Sequence, residues 1–209
     1  MNRDTDFLKS LISSYKANVL DIFPVEITQK SLEFETLRKF ESLIEEKNDH
    51  CFDRDCFPGH ITGSSVVLSP DLKKVVLTHH KKLNKWLQLG GHSDGDHISS
   101  RVALKEAEEE SGLEKIELYS PVTMTKSSFH EALPLDFDIH QIPSRKNEPE
   151  HYHYDVRFLI VAESEKLTIS DESNDLKWFD LNDVKEVTKE DSTLRQIEKV
   201  KWLIKKMVN

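Results

Sequence analysis

The sequence is poor in cysteine, and this scarcity limits the classes of protein to which the chain can belong. Cys51 and Cys56 are the only two cysteines. They are too few for a disulfide framework, and no second pair follows to complete a zinc ribbon. A small metal site made by the CFDRDC spacing with His50 and His60 is an alternative. Ordinary reduced thiols are the favoured interpretation.

Long hydrophobic runs are also absent. No stretch approaches the roughly 18 apolar residues of a membrane-spanning helix. The first ten residues, MNRDTDFLKS, lack the apolar centre of a secretion signal. The apolar fraction is 37% and the charged fraction is 32%, a balance typical of a soluble protein with exposed helices. We therefore predict a cytoplasmic protein that does not associate with membranes.

Positive charge is scarce relative to negative charge. The chain has 29 lysines and arginines against 38 aspartates and glutamates, which gives a formal net charge of −9 at pH 7. Proteins that bind nucleic acid through its phosphate backbone use basic surfaces, so no such binding is expected here. A local basic pocket for a small anionic ligand is compatible with this composition.

Apolar residues at helical spacing predict two helices before residue 50, one from Thr5 and one from Thr28. Two helices joined by the short FPVE segment make a hairpin that is too small to be stable alone. The hairpin should therefore pack on the following domain or on a second subunit, so a homodimer is one arrangement we expect. We predict a helical extension over residues 1–50 and a main domain over residues 51–209.

The remainder of the chain has the pattern of short strands around one internal helix. Strands are predicted at residues 61–69, 74–80, 86–89, 114–120, 123–130, 135–140 and 154–162. The first two should form a hairpin, and Gly90-Gly91 should be a turn that ends the third. A helix over residues 98–110 and a closing helix over residues 194–207 complete a layered α/β (α+β) domain.

Three glutamates on the internal helix carry the densest chemical signal. Glu106, Glu109 and Glu110 stand at i, i+3 and i+4, so their carboxylates project from one face. Like charges at this spacing destabilise a helix by roughly 0.2–0.5 kcal/mol per pair, which suggests that a cation lies among them. Hard oxygen ligands favour magnesium or manganese over zinc. A solvated acidic face is the alternative, but the glycines at both ends of the helix favour a ligand site.

The segment from Gly91 to Leu113 resembles the Nudix box, in which a glycine precedes a glutamate, an Arg-Glu pair, a Glu-Glu pair and a second glycine at fixed spacing. The matching residues are Gly91, Glu106, Ala107, Glu109, Glu110, Gly112 and Leu113. His97 stands where the first Glu is expected, and Lys105 stands where the Arg is expected. The resemblance implies a Nudix fold, with a mixed β-sheet sandwiched between helices and an N-terminal helical hairpin extension.

The resemblance also implies a chemistry. Nudix hydrolases split a nucleoside diphosphate linked to another group, by attack of water on a phosphorus of the pyrophosphate. The implied ligands of Mg²⁺ or Mn²⁺ are Glu106, Glu109, Glu110 and the carbonyl of Gly91. Lys105 is expected to hold Glu109 by an ion pair one helical turn away. Asp94 and Asp96, in the loop before the helix, are expected to compensate for His97.

Residues 140–158 form a second unusual stretch, rich in charge and histidine, which we predict to be a loop over the active site. Glu150 or Glu148 is the candidate base, with His151 or His153 as alternatives because the ordinary pKa of histidine is near neutral. The candidate substrate-binding residues are Arg145, Lys146, His79, His92, His151 and His153. A solvated, charge-rich turn is the alternative for any single member of the stretch.

Three functions remain open from the sequence. A metal-dependent Nudix pyrophosphatase, or pyrophosphohydrolase, acting on a small nucleotide derivative is favoured because the three glutamates are intact. A ligand-binding or regulatory protein with an altered box is the first alternative. An isopentenyl-diphosphate isomerase is the second, but that chemistry pairs a cysteine with a glutamate, and neither Cys51 nor Cys56 lies in a recognisable version of that motif.

Overall fold

The structure is a computed structural model and describes residues 3–145, 149–171 and 173–208. The helices are α1 (Arg3–Asn18), α2 (Lys30–Lys47), α3 (Ser99–Ser111), α4 (Val184–Val187) and α5 (Asp191–Val208). The strands are β1 (Gly59–Leu68), β2 (Lys74–His80), β3 (Lys85–Leu87), β4 (Leu89–His92), β5 (Ile116–Tyr119), β6 (Asp136–Ile142), β7 (His151–Ala162) and β8 (Ser173–Asp180). Among the described helices, none is both long and apolar enough to span a membrane.

Strand β7 is the centre of a mixed eight-stranded sheet. It runs parallel to β1 over the whole length of β1. On its other side it pairs with β6 along its first half and with β5 along its second half, both antiparallel. Strand β4 pairs with β1, while β2 pairs with β3 and β8. Helices pack on this sheet, so the predicted fold class is confirmed.

Helices α1 and α2 lie against one face of the sheet. The ring of Phe40 on α2 meets the rings of Phe137 and Tyr154 edge to face, at centroid distances of 5.1 Å and 5.2 Å. Tyr15 on α1 meets Phe137 in the same way at 5.0 Å. The helical pair therefore packs on the sheet of its own chain and shares its hydrophobic core. The division into an extension and a domain stays a prediction.

The opposite face of β6 and β7 buries charge instead of apolar side chains. Arg157 is 1% exposed, and its guanidinium contacts Asp155 at 2.7 Å and Asp138 at 3.0 Å. Its third ion pair, at 3.3 Å, is with Asp136, which is fully buried. Because successive residues of a strand point to opposite faces, the alternation of β6 gives it one aromatic and one acidic face.

Helix α5 supplies further cations to this group. Arg195 contacts Asp136 at 2.7 Å, and the Lys199 ammonium contacts the same carboxylate at 2.6 Å. Lys199 also contacts Glu33 of α2 at 2.8 Å and donates a hydrogen bond to the Tyr15 hydroxyl at 2.9 Å. We call these residues the buried charge network: Glu33, Asp136, Asp138, Asp155, Arg157, Arg195 and Lys199. Although burial alone would raise the pKa of Asp136, its three cationic neighbours outweigh that effect and hold the pKa at about 2.

Four predicted elements differ from the structure. The stretch 123–130 was predicted as a strand but forms turns, joined to β5 by a single bridge between Tyr119 and Lys126. Strands β1 and β2 pair only at Leu68 and Val75, because β4 takes the remainder of that edge of β1 and β3 takes the remainder of that edge of β2, so the predicted hairpin is limited to its turn. Gly90 and Gly91 lie inside β4 and do not form the predicted turn.

The fourth difference concerns the predicted loop over residues 140–158. Strand β6 continues to Ile142 and β7 already begins at His151. The connection is therefore short, and both His151 and His153 belong to the sheet. The polar alternation HYHYD was interpreted as a loop, but its histidines and aspartate point to the buried polar face and its tyrosines to the other.

Candidate active site

Asp96 and Gly112 mark the two ends of helix α3. The carboxylate of Asp96 accepts the Ile98 backbone N–H at 2.9 Å and binds the Arg101 guanidinium at 2.6 Å. At the other end Gly112 adopts the left-handed conformation, with a φ of 64°, and its N–H reaches the Glu108 carbonyl. The helix can lie close to β1 because Gly63 has no side chain; a Cβ there would be 2.7 Å from the Ser99 carbonyl oxygen.

Two of the three box glutamates rest on the backbone of β4. The carboxylate of Glu106 lies over Gly91, where an added Cβ would be 2.3 Å from its Oε2 atom. The Glu110 carboxylate accepts the Gly90 N–H at 3.0 Å. Gly91 is therefore needed for close approach of the helix, whereas a Cβ at Gly90 would be 2.2 Å from the Ser64 Cβ on β1, which explains why both glycines occur within a strand.

The Lys105 ammonium contacts the carboxylates of two box glutamates, Glu106 and Glu109. Its ammonium lies 3.0 Å from Glu109 Oε2 and 3.3 Å from Glu106 Oε1. The predicted ion pair with Glu109 is therefore present. The hydrogen bond to Glu109 is the main cause that raises the pKa of Lys105 above its ordinary value, so this side chain is charged at neutral pH.

These groups open into a cavity of about 350 Å³ on the polar side of the sheet. Its acidic lining residues are Asp94, Glu106, Glu109, Glu110 and Asp155, and its basic ones are Arg54, Lys82 and Lys105. Four histidines also line it: His80, His92, His140 and His153. A cavity of this size, with convergent polar groups of both signs, suits a small charged ligand.

Arg54 and Asp155 are cavity residues that the sequence interpretation missed. Arg54 makes a two-pronged ion pair with Asp94, one contact at 2.7 Å, and this hydrogen bonding lowers the pKa of Asp94. Asp155 is 2% exposed and accepts hydrogen bonds from Thr62 at 3.0 Å, Ser64 at 2.7 Å and Arg157 at 2.7 Å. The polar alternation of β7 could have identified Asp155. If this stretch is assigned as a strand, Asp155 lies on the same face as His151 and His153.

His97, which stands at the position of the first Glu of the box, packs against Phe52. The His97 ring meets Phe52 at a centroid distance of 6.5 Å. Of the two loop acids expected to compensate for it, Asp94 borders the cavity, whereas Asp96 is engaged at the start of α3 with Arg101. Of these two loop acids, only Asp94 therefore borders the cavity, where it is paired with Arg54.

The predicted substrate-binding residues separate into two groups. His92 and His153 line the cavity, and His151 lies behind it, with its Nε2 atom 3.3 Å from that of His153. His79 is elsewhere on β2, where its ring contacts Trp86 at 5.2 Å.

The loop residues are further from the glutamates. Among the described residues, the cavity lining does not include Arg145 or Glu150, and Glu150 is exposed. Lys146 and Glu148 lie outside the described residues. The roles assigned to the loop stay predictions.

Five histidines form a group beside the box, which we call the five-histidine cluster: His60, His92, His140, His151 and His153. His60 is at its centre, 1% exposed, with ring centroids of three other members 4.9–5.2 Å away. Burial, reinforced by His92 and His151, lowers the pKa of His60 to about 4, and burial also lowers the pKa of His153. These two imidazoles are therefore neutral at neutral pH.

The box residues fit a hard divalent cation. Glu106, Glu109 and Glu110 offer carboxylate oxygens from one helix face, and β4 brings the backbone of Gly91 directly beneath Glu106. Oxygen-only donor sets of this type suit Mg²⁺ and Mn²⁺. The Lys105 ammonium already bridges two of these carboxylates, so the position between them attracts positive charge.

Comparison with known proteins agrees with this geometry. A NUDIX domain model matches residues 59–202, more than half of the chain. A crystal structure of a NUDIX-family hydrolase from Clostridium perfringens is 26% identical, covers 69% of this chain and 97% of its own, and superposes with a TM-score of 0.54. No curated protein matches the sequence.

More distant structures resemble the same region. The Nudix hydrolase RenU from M. smegmatis is 13% identical, with coverage of 72% of this chain and 89% of its own and a TM-score of 0.49. A C. elegans Ap4A hydrolase is 12% identical, with coverage of 70% and 98% and a TM-score of 0.48. The domain match and the box, two of whose three carboxylates lie against β4, show that the chain belongs to the Nudix hydrolase family.

Proposed function

We propose that this protein hydrolyses the pyrophosphate bond of a nucleoside diphosphate linked to another group, in a reaction that depends on Mg²⁺ or Mn²⁺. The observation that carries the proposal is that Glu106 and Glu110 lie against the β4 backbone while Glu109 lines the same cavity. The proposed metal ligands are Glu106, Glu109, Glu110 and the carbonyl of Gly91. A divalent ion in this position supplies charge neutralisation for the pyrophosphate and for its leaving oxygen.

The side chains around the metal position divide the remaining tasks. Glu106 and Glu110 are held against β4, so they are suited to fixed ligand positions. The Glu109 side chain is 60% exposed against 19% for Glu106, so it can also reach a water molecule in the cavity. Arg54 and Lys82 offer positive charge to phosphate oxygens at the cavity wall.

Two carboxylates are candidates for the base that activates water: Glu109 in the box and Glu150 in the loop. A base acts during the chemical step, so replacing it should lower turnover and flatten the acidic limb of the pH profile, with little change in binding. Glu109→Gln and Glu150→Gln measured across pH therefore discriminate between the two. Wild-type kinetics in Glu150→Gln would remove the loop carboxylate from the mechanism.

The proposal is tested by screening nucleoside diphosphate derivatives with Mg²⁺ and Mn²⁺ and detecting the nucleotide products. We expect turnover that stops in excess chelator and falls by orders of magnitude in Glu109→Gln and Glu110→Gln. Glu108→Gln is the matched control, because Glu108 lies on the same helix but is exposed and does not line the cavity among the described residues. Full turnover in chelator would contradict the mechanism.

A second candidate function is binding without cleavage. The observation in its favour is that Lys105 bridges Glu106 and Glu109, so the ammonium competes with a metal ion for the same carboxylates. This function predicts saturable nucleotide binding with no product under any metal condition. The isomerase alternative has less support, since both cysteines are buried and neither is among the described residues that line the cavity.

The proposed partner is a small molecule. A cavity of about 350 Å³ and a net charge of −9 suit a compact nucleotide-type diphosphate and not a nucleic-acid backbone. A cytoplasmic location and a homodimer remain proposals made from the sequence.

A further inference from the structure

The five-histidine cluster is built into the alignment of four strands, with His92 contributed by β4 beside β1. The pairing of β1 with β7 places His60 beside His153, and the pairing of β6 with β7 places His140 on the other side of His153. His151 precedes His153 by two residues, so it points to the same face of the sheet. The imidazoles therefore meet because of the strand order, and the box helix contributes none of them.

We propose that His60, His151 and His153 bind a borderline transition-metal dication, represented by Zn²⁺, at a site separate from the carboxylates of the box. The three potential ligand nitrogens, one from each histidine, lie within 4.8 Å of one another. His151 and His60 are buried, and His153 is partly buried at the cavity wall.

The spacing of the rings matches tetrahedral coordination. With metal–nitrogen bonds of about 2.0–2.1 Å and a ring centre about 1.2 Å beyond each nitrogen, tetrahedral geometry places the ring centres about 5.2 Å apart. The observed centroid distances are 4.9 Å for His60–His153, 5.1 Å for His60–His151 and 5.2 Å for His151–His153. All three pairs are therefore already close to the spacing of a bound site.

One nitrogen pair also has the spacing of two coordinating atoms. Two nitrogens on a tetrahedral zinc ion lie about 3.3–3.4 Å apart, from the same bond length. The Nε2 atoms of His151 and His153 are 3.3 Å apart. The remaining pairs need to approach by at most about 1.5 Å, which side-chain rotation in a partly open site can provide.

A backbone contact orients one of the rings. The Nδ1 atom of His151 lies 2.9 Å from the Pro149 carbonyl oxygen. A carbonyl only accepts, so Nδ1 carries the hydrogen, and Nε2 is the ring nitrogen that this contact leaves for a metal. A histidine that donates its second N–H to a backbone carbonyl is the usual arrangement of a metal ligand.

His60 gives separate evidence for a bound ion. It is 1% exposed, and neither ring nitrogen makes a hydrogen bond of acceptable geometry with any other described residue. A buried polar side chain without a partner needs an explanation, and a bound ion is one of the few available. Its position among the other two rings directs that explanation to a shared metal.

The donor chemistry separates this site from the box. Imidazole nitrogens select zinc, cobalt and nickel, whereas carboxylate and carbonyl oxygens suit magnesium and manganese. Three protein ligands leave a tetrahedral ion with one open position. Because His153 also lines the cavity, that position borders the space in which we propose that the substrate binds.

The test uses the chelator-treated full chain, loaded with Zn²⁺ in a large excess of Mg²⁺ and then gel-filtered. We expect one zinc ion per chain to remain, with an X-ray absorption spectrum of nitrogen ligands at about 2.0–2.1 Å and imidazole scattering beyond them. Loss of all zinc in Mg²⁺, or a first shell dominated by oxygen, would overturn the proposal. Neither outcome bears on pyrophosphate hydrolysis, so the two proposals fail separately.

Variants locate the bound ion. His153→Gln and His60→Gln should weaken Zn²⁺ binding, measured by competition with a coloured chelator, by more than the 10- to 100-fold that typifies loss of an outer-shell contact. His130→Gln is the matched control, because His130 is exposed and packs against Phe7, away from the cluster. If His60→Gln does not fold, His153→Gln carries the test, and wild-type affinity in that folded variant would refute the site.

Discussion

At the scale of single residues, Lys105 shows how this box differs from the family pattern. Its ammonium contacts two carboxylates that a divalent ion also needs. We expect Lys105→Met to tighten Mg²⁺ binding by about 2- to 5-fold, because an exposed ion pair contributes about 0.2–1 kcal/mol and its loss removes that competition. Isothermal titration with Mg²⁺ measures the change.

The matched control for this prediction is Lys105→Arg, which keeps the charge and restores the residue of the family pattern. It should bind Mg²⁺ as the wild type does and preserve or raise turnover. Weaker Mg²⁺ binding in Lys105→Met would contradict competition and would show that Lys105 orients Glu109 for the metal.

His60 makes folding sensitive to mild acid. Its folded pKa of about 4 is below the ordinary value of 6.5, so the unfolded chain takes up the proton first as the pH falls. The stabilising contribution is complete above pH 6.5 and is lost between pH 6.5 and about 4, by up to about 3 kcal/mol. Urea unfolding in chelator across this range should show the loss, and His60→Gln should show less of it. An equal loss in both proteins would contradict this origin.

At the scale of elements, the packing of α3 on β4 and on β1 depends on one glycine in each strand, for two different reasons. At Gly91 an added Cβ meets the end of the Glu106 side chain, which can move, whereas at Gly63 it meets the Ser99 backbone, which cannot. We expect Gly91→Ala to lower metal-dependent turnover at least about 10-fold with a small change in Tm. We expect Gly63→Ala to destabilise the fold by about 1–3 kcal/mol. Thermal unfolding and steady-state kinetics of both variants test the distinction, which equal effects on Tm would contradict.

The sequence predicted the elements with strong periodicity or strong end signals. Helix α3 was predicted between Ile98 and the glycine at 112, and the apolar half of β7 was predicted from its FLIVA run. The polar half of β7 was missed because its partners come from elsewhere in the chain: serine and threonine from β1, aspartates from β6 and the Ser192 carbonyl from α5. A local pattern holds no information about a partner 19 or more residues away.

The candidate site was predictable to the same extent. The box glutamates and the Lys105–Glu109 pair follow from helical spacing alone. Arg54 and Asp155 were not predictable in this way, because one follows a 3-10 turn and the other is inside a strand, and only the folded sheet brings them to the cavity. The Gly90-Gly91 pair was interpreted as a turn because glycine permits turns, but here it permits close packing.

At the scale of the whole molecule, the buried charge network holds the N-terminal helices, the sheet and α5 together. Lys199 contacts Glu33 and Asp136, and all three are buried. We expect Lys199→Met to lower the free energy of unfolding by about 3–5 kcal/mol, because it leaves two carboxylates without their shared cation. Lys201→Met is the control: its pair with Glu198 is partly exposed, so about 0–1 kcal/mol is expected. Urea unfolding measures both, and similar values would contradict a structural role for the network.

The same network has a consequence for the folding search. Strands β1 and β7 are parallel partners from Gly59–Tyr152 to Leu68–Val161, so roughly 90 residues must be gathered before they meet. A slip of one residue would turn Asp155 and Arg157 toward the aromatic side chains of α2 and would bring Tyr154 among the aspartates. Every such misalignment would bury charged side chains in an apolar core, which has a large cost in free energy. The buried charges therefore destabilise wrong strand pairings more strongly than they stabilise the native pairing, so they contribute to the specificity of folding.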